Sequence, residues 1–281
     1  MDRDLPNSYG EEHKQSSFLA EFFDGYSFKN LVDFLRRINT TAIFEFHQTR
    51  IECFHYDTEA RNILTHIVIK GKELSQYQLR LGDNKENKLR MGINLRELQK
   101  FIKGIGKKDS LILYKKPGDY SIYIQIANAM NKNNQGNFSM FRPCKAESVL
   151  IDIPAYDTNE NFPHVIVSSA NLGHICSSMN VLKSSHVRIR VVDNKLTLDN
   201  LTDDRSSGRV DTFAIRNYGK EEKIEYQALV KASTLKCLVK LSNLSPNGLL
   251  KIYTETEKPL LIICKINGWG KMRIYLSSVD N

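Results

Sequence analysis

At 281 residues and 32.3 kDa, the chain suffices for one large domain or two of ordinary size, each with a core. Its 40 Lys and Arg against 32 Asp and Glu give a formal charge of +8, which suits a polyanionic partner such as nucleic acid. Five cysteines, far apart and without C-x-x-C or Cys/His spacing, argue against a metal site and read as reduced core thiols of an intracellular protein.

Residues 1–17 have no apolar run, so they are neither a signal peptide nor a membrane anchor and read as a flexible N-terminal tail. A first strand is predicted over 18–23, then a helix capped by Ser27 with Phe28, Leu31, Val32, Leu35 and Ile38 inward and Lys29, Arg36 and Arg37 outward. Residues 42–46 and 51–56 form a hairpin, and 63–69 and 74–81 add strands. Residues 91–105 read as an amphipathic helix. Leu95, Leu98, Ile102 and Ile105 form its apolar stripe, and Arg96, Lys100 and Lys103 a cationic one. A hairpin over 111–126, a polar loop over 128–137 and an edge strand over 138–141 follow.

Residues 147–163 mix prolines and acidic residues with Ile153, Tyr156 and Phe162, which suits a connector laid over a surface. The pattern then restarts. A strand at 164–167 precedes a helix capped by Ser169, with Leu172, Ile175, Cys176, Met179 and Leu182 inward, and a hairpin over 187–198. A strand over 210–215 and a charged link over 219–225 lead to a fourth helix with Leu235, Leu238 and Leu241 inward and Lys231, Lys236 and Lys240 outward. Strands over 248–253, 259–264 and 272–276 close the chain. Helix followed by hairpin thus recurs four times, roughly 65 to 75 residues apart. The economical reading is α+β: two similar domains, 18–146 and 164–281, each with two helices packed on antiparallel sheet.

Three of the four helices carry cations opposite their apolar stripe, a pattern that neutralises phosphates without reading bases. The segment Gly104-Ile105-Gly106-Lys107-Lys108 lacks phosphate-loop spacing, and the seven histidines are scattered, so no catalytic constellation, metal site or cofactor is expected.

These residues resemble sliding clamps of the proliferating cell nuclear antigen (PCNA) type. The likeness rests on Met91-Gly92-Ile93-Asn94-Leu95 with Lys100 and Lys103, on Lys258-Pro259 with the apolar run after it, and on Arg273-Ile274-Tyr275-Leu276. It runs in register from about Phe18 to the C-terminus. The resemblance implies a non-enzymatic processivity factor for replication and repair, a homotrimeric ring with helices inside. Lys29, Arg36, Arg37, Arg96, Lys100, Lys103, Lys236 and Lys240 would then face double-stranded DNA, independent of sequence. It also implies a DNA polymerase and other partners bearing a Q-x-x-aliphatic-x-x-aromatic-aromatic motif. Their pocket would be formed by Tyr56, Ile63, Ile153, Tyr156, Phe162, Pro259 and Tyr275. Subunits would join through edge strands, Phe138, Met140 and Phe141 of one chain meeting Val210, Thr212 and Phe213 of the next. An ATP-dependent loader and a nuclear or viral replication compartment, without membrane association, complete the expectation. Two departures stand out. The third helix has Ser177 and Val181 where the family carries basic or polar residues, leaving His174 and Lys183 nearby, and the chain is basic where cellular PCNA is acidic. A divergent clamp, a viral one included, fits the second. A monomeric or dimeric factor held by charge, or one subunit of a heterotrimeric checkpoint clamp, remains an alternative.

Overall fold

The structure, a computed structural model, describes residues 16–57, 62–81, 87–128, 137–145, 152–156, 163–181, 185–192, 195–201, 210–212, 225–245 and 248–279. The expected tail (1–15), most of the connector with Phe162, Leu182, Lys183, the turn at 203–208 and Phe213 lie outside these residues.

Two strings of elements follow one plan. The first runs β1 (Phe18–Phe22), α1 (Gly25–Leu35), β2 (Thr41–His47), β3 (Arg50–Tyr56), β4 (Ile63–Lys70), β5 (Gln76–Leu79), β6 (Lys88–Asn94), α2 (Leu95–Ile102), β7 (Asp109–Lys115), β8 (Ile122–Asn128) and β9 (Asn137–Phe141). The second runs β10 (Val165–Ser168), α3 (Ser169–Val181), β11 (His186–Val192), β12 (Lys195–Leu201), β13 (Val210–Thr212), β14 (Glu225–Lys231), α4 (Ala232–Leu238), β15 (Leu249–Tyr253), β16 (Leu260–Ile266) and β17 (Gly270–Leu276). Short 3-10 turns at Gly71–Glu73 and Val239–Asn243 follow β4 and α4.

The strands form three antiparallel sheets, ordered β5-β1-β7-β8-β9, β10-β15-β16-β17-β4-β3-β2-β6 and β13-β12-β11-β14. The middle sheet belongs to both halves, because β17 pairs with β4 over seven residue pairs from Gly270↔Ile69 to Leu276↔Ile63. Superposing the two plans equates β17 with β9 and β4 with β13. The seam inside the chain therefore joins the equivalents of the two strands, β9 and β13, that end the other sheets.

Strand alternation puts the apolar side chains of each sheet on the helix side. In β4, Ile63, Thr65, Ile67 and Ile69 are buried while Leu64, His66 and Val68 are half-buried on the other face and Lys70 is exposed. Helix α1 buries Phe28, Leu31, Val32, Phe34 and Leu35, each burial worth about 1.5–3 kcal/mol against exposure.

The stretch expected to be one helix from Met91 to Ile105 is divided. Residues 91–94 end β6, and α2 occupies only Leu95–Ile102. The division falls at Asn94, whose side chain accepts hydrogen bonds from the N–H groups of Arg96 (3.0 Å) and Glu97 (3.2 Å) and so caps the helix. Gly92 is required for another reason. It exchanges backbone hydrogen bonds with Cys144, and a Cβ at Gly92 would lie 2.8 Å from the Cys144 sulfur.

Other local expectations also change. Asp24, not Ser27, caps α1, taking the Ser27 N–H at 2.9 Å. Ser168, not Ser169, takes the Asn171 N–H in the first turn of α3, at 3.4 Å. The charged link before the fourth helix ends in β14, where Tyr226, Ala228 and Val230 are buried, and Lys231 belongs to that strand rather than to the helix. Cys144 is exposed, whereas Cys53, Cys176, Cys237 and Cys264 are buried free thiols.

Candidate functional site

The helices form one layer across both halves of the chain. Within each half they pack pairwise, and α1 also packs on the Val239–Asn243 turn after α4. Asn30 Nδ2 donates to the Asn243 carbonyl (3.3 Å), Arg37 Nη1 to that of Lys236 (3.4 Å), and buried Asn62 Nδ2 to Thr234 Oγ1 (2.9 Å). Gln99 Nε2 on α2 donates to Asp33 Oδ1 on α1 at 2.5 Å. Gly173 lets α3 approach the same turn, since a Cβ there would sit 3.2 Å from the Val239 carbonyl.

On this layer Arg36, Arg37, Arg96, Lys100, Lys103 and Lys236 are exposed, and Lys29 and Lys240 are half-buried. Lys29 Nζ lies 3.5 Å from the Ile105 carbonyl and 5.4 Å from the Tyr26 ring centroid, so its charge sits near the C-terminal end of α2. The helices themselves contain two carboxylates, Asp33 and Glu97, and neither forms an ion pair with these cations. Helix α3 adds no Lys, Arg, Asp or Glu and exposes Ala170, Asn171, His174 and Ser177. Among the described residues this layer therefore carries more cations than carboxylates, a balance that attracts anions.

The opposite sheet face carries a row fixed by register: Tyr56 beside Leu64, then Tyr275, Leu261 and Tyr253 on successive strands. Tyr253, Leu261, Ile263 and Tyr275 form a small apolar cluster against which Leu64, Ile153 and Tyr156 pack. The rings of Tyr156 and Tyr275 lie 6.0 Å apart, and Lys258 fastens the connector by donating from Nζ to the Ala155 carbonyl at 2.7 Å. Burial pushes both phenols above their ordinary range. A 280 Å³ hollow beside the row is lined by Tyr226, Leu229, Lys258 and Ser278 among others. Of the residues expected here, Ile153, Tyr156 and Tyr275 come together, Tyr56 continues the row, and Pro259 is half-buried at the start of β16. Ile63 is in the main core instead, and Leu64, which sequence reasoning missed, takes the outward place. The strict period of two in β4 is the signal that could have found it.

The end strand β9 exposes Phe138 and Met140 and buries Phe141. On the opposite end strand, β13 contains Val210 and Thr212. Among the described residues there is no group of three or more His, Cys, Asp or Glu that could hold a metal, and no helix long and apolar enough to cross a membrane.

No protein-family model matches the sequence. The structure is similar to PCNA from Entamoeba histolytica with a TM-score of 0.76 at 19% identity, covering 93% of this chain and 98% of the other. The chain has the PCNA fold. A chain of the PCNA2–PCNA3 complex from Sulfolobus tokodaii matches with a TM-score of 0.75 at 14% identity, covering 94% of this chain and all of that one. Among curated proteins, the probable DNA polymerase sliding clamp of Acanthamoeba polyphaga mimivirus is 24% identical over 233 residues, or 80% of this chain. That match covers 46% of the mimivirus protein, so the chain spans about half the length of this relative. The PCNA resemblance carried by residues 91–95 and the last hairpin agrees with these likenesses.

Proposed function

We propose that this chain is a DNA sliding clamp, a non-enzymatic processivity factor that encloses duplex DNA and tethers a DNA polymerase and other replication and repair proteins. The observation that carries the reading is the helix layer, in which eight cations from both halves of a PCNA fold share one side. Enclosure supplies persistence, and contacts to phosphates alone leave the clamp able to slide.

Three copies close the ring in this account. Support comes from the repeat: β17 pairs with β4 inside the chain, so β9 of one copy pairs with β13 of the next in the same antiparallel manner. Strand edges left open otherwise invite uncontrolled association. The outer row Tyr56, Leu64, Tyr275, Leu261 and Tyr253, with Ile153, Tyr156 and Pro259, receives the apolar residues of the partners' motif. An ATP-dependent loader opens the ring, and the setting is a nucleus or a viral replication compartment. The likeness to a chain of a PCNA2–PCNA3 complex favours one second reading, a ring of unlike subunits. Primer extension on a circular template with cognate polymerase and loader tests the function: product length increases with the clamp, and no increase refutes it. Solution mass separates the assemblies, three chains for a homotrimer and one for a subunit that waits for others.

A further inference from the structure

The outer face of the middle sheet continues beyond the apolar row into a cleft of about 600 Å³, lined by Val68, Lys70, Glu73, Lys265, Lys271 and Arg273 together with the turn from Asn267 to Gly270. Four cations face one carboxylate there. Register fixes the path between the two features. Moving along β17 on one face, Tyr275 is followed by Arg273 beside Ile263 and His66, and then by Lys271 beside Lys265 and Val68. Four residues of strand separate Tyr275 from Lys271, about 13 Å, a distance that four residues of extended peptide cover. The far wall is held in place. Lys70 N–H donates to the Trp269 carbonyl (3.2 Å), Gly71 N–H to that of Thr49 (2.8 Å), and the Trp269 ring packs edge-on against Phe22 with centroids 5.2 Å apart.

We infer that this cleft binds an acidic segment flanking the apolar anchor of a partner's clamp-binding peptide. The inference rests on the pocket proposed above and gives its partners a charge preference. The cleft lies on the sheet face opposite the helix layer, so its charge does not serve enclosed DNA. Its continuity with the peptide row favours a peptide over a nucleic acid.

The test uses the full-length protein and three fluorescent peptides bearing the Q-x-x-aliphatic-x-x-aromatic-aromatic anchor, one with neutral flanks and two with four Asp or Glu residues before or after it. Ion pairs of ordinary strength to the exposed Lys70 and Lys265, in the field of the half-buried Lys271 and Arg273, together give about a tenfold gain. One acidic peptide is therefore expected to bind about tenfold more tightly than the neutral one at 0.05 M salt and to lose most of that gain at 0.5 M. Lys70→Glu with Lys265→Glu, both exposed positions, should abolish the gain and leave the neutral peptide's affinity unchanged, which also shows the variant folded. Neutral binding without any acidic gain overturns the cleft inference alone. Failure of the neutral peptide to bind overturns the pocket reading beneath it. Loss of single-stranded oligonucleotide binding in the variant, with acidic and neutral peptides binding alike, assigns the cleft to nucleic acid and overturns the inference.

Discussion

Replacing Lys100 and Lys103 with alanine removes two exposed cations from the C-terminal turn of α2 while sparing what holds that helix. Leu95, Leu98 and Ile102 remain buried and the Asn94 cap is untouched. The stability lost is confined to a favourable helix-dipole interaction, about 0.3–1 kcal/mol per lysine at most. DNA affinity falls further. Each phosphate contact contributes about 0.9 to the slope of log K against log[salt], so losing two reduces the slope by about 1.8. Extrapolated from 1 M to 0.1 M salt, this is about 60-fold in affinity, or ~2.4 kcal/mol. Fluorescence anisotropy on a linear 30-base-pair duplex from 0.05 to 0.3 M KCl measures both quantities, and thermal melting separates them from unfolding. An unchanged slope with unchanged melting would take these lysines off the DNA-facing wall.

Phe138→Asp with Met140→Asp should lower the solution mass from three 32.3 kDa chains to one without lowering the melting temperature, because both side chains are exposed in the single chain; an intact trimer by light scattering would move the subunit contact elsewhere. Leu64→Asp should weaken binding of the neutral anchor peptide at least tenfold with little effect on folding. Its neighbour Ile63→Ala should cost about 2–5 kcal/mol of stability by leaving a core cavity, yet spare peptide binding, a contrast readable by titration and denaturant melts. Burial holds the His55 imidazole down at about 4, with Nε2–H donating to the Leu35 carbonyl at 2.8 Å. The unfolded chain takes up this proton below about pH 6.5 and the folded chain does not until about pH 4. Stability is thus full above 6.5 and falls on acidification by up to about 1.4 kcal/mol per pH unit, on the order of 3 kcal/mol in all. His55→Gln, which can donate to the same carbonyl without titrating, should flatten that part of the curve, leaving a residual slope from His66, which burial also holds down.

Helix faces and paired strands were legible wherever one period dominated. Phe28, Leu31, Val32 and Leu35 specify α1, and the run Leu260–Ile266 declares its strand by β-branched density. What escaped were places where two local signals overlap. Met91 and Ile93 fit either a helix stripe or a strand face, and only the Asn94 side chain decides between them by claiming two amide protons. In β14 the apolar signal consists of Tyr226, Ala228 and Val230 between Glu225, Gln227 and Lys231, too weak to outweigh the charge around it. The cationic wall could be read residue by residue, because surface lysines on an amphipathic helix have only one place to go. The outer row was legible at Tyr56, Ile153, Tyr156 and Tyr275 but slipped in β4, where a single-residue shift exchanges Ile63 for Leu64; the alternation of that strand favours Leu64, and pairing with Tyr56 and Tyr275 fixes it. The cleft around Lys70, Lys265 and Lys271 draws on strands nearly two hundred residues apart, so no sequence window contains it.

The central claim is enclosure, and topology tests it most directly. Protein loaded onto nicked circular DNA is passed through a sizing column in 0.5 M salt, where charge contacts between exposed groups are largely screened. A protein that encloses the duplex stays with the circle and is lost once the circle is cut to a linear duplex, which is the expected result. Equal loss from circular and linear DNA would mean that charge alone holds the protein there, and would contradict the ring.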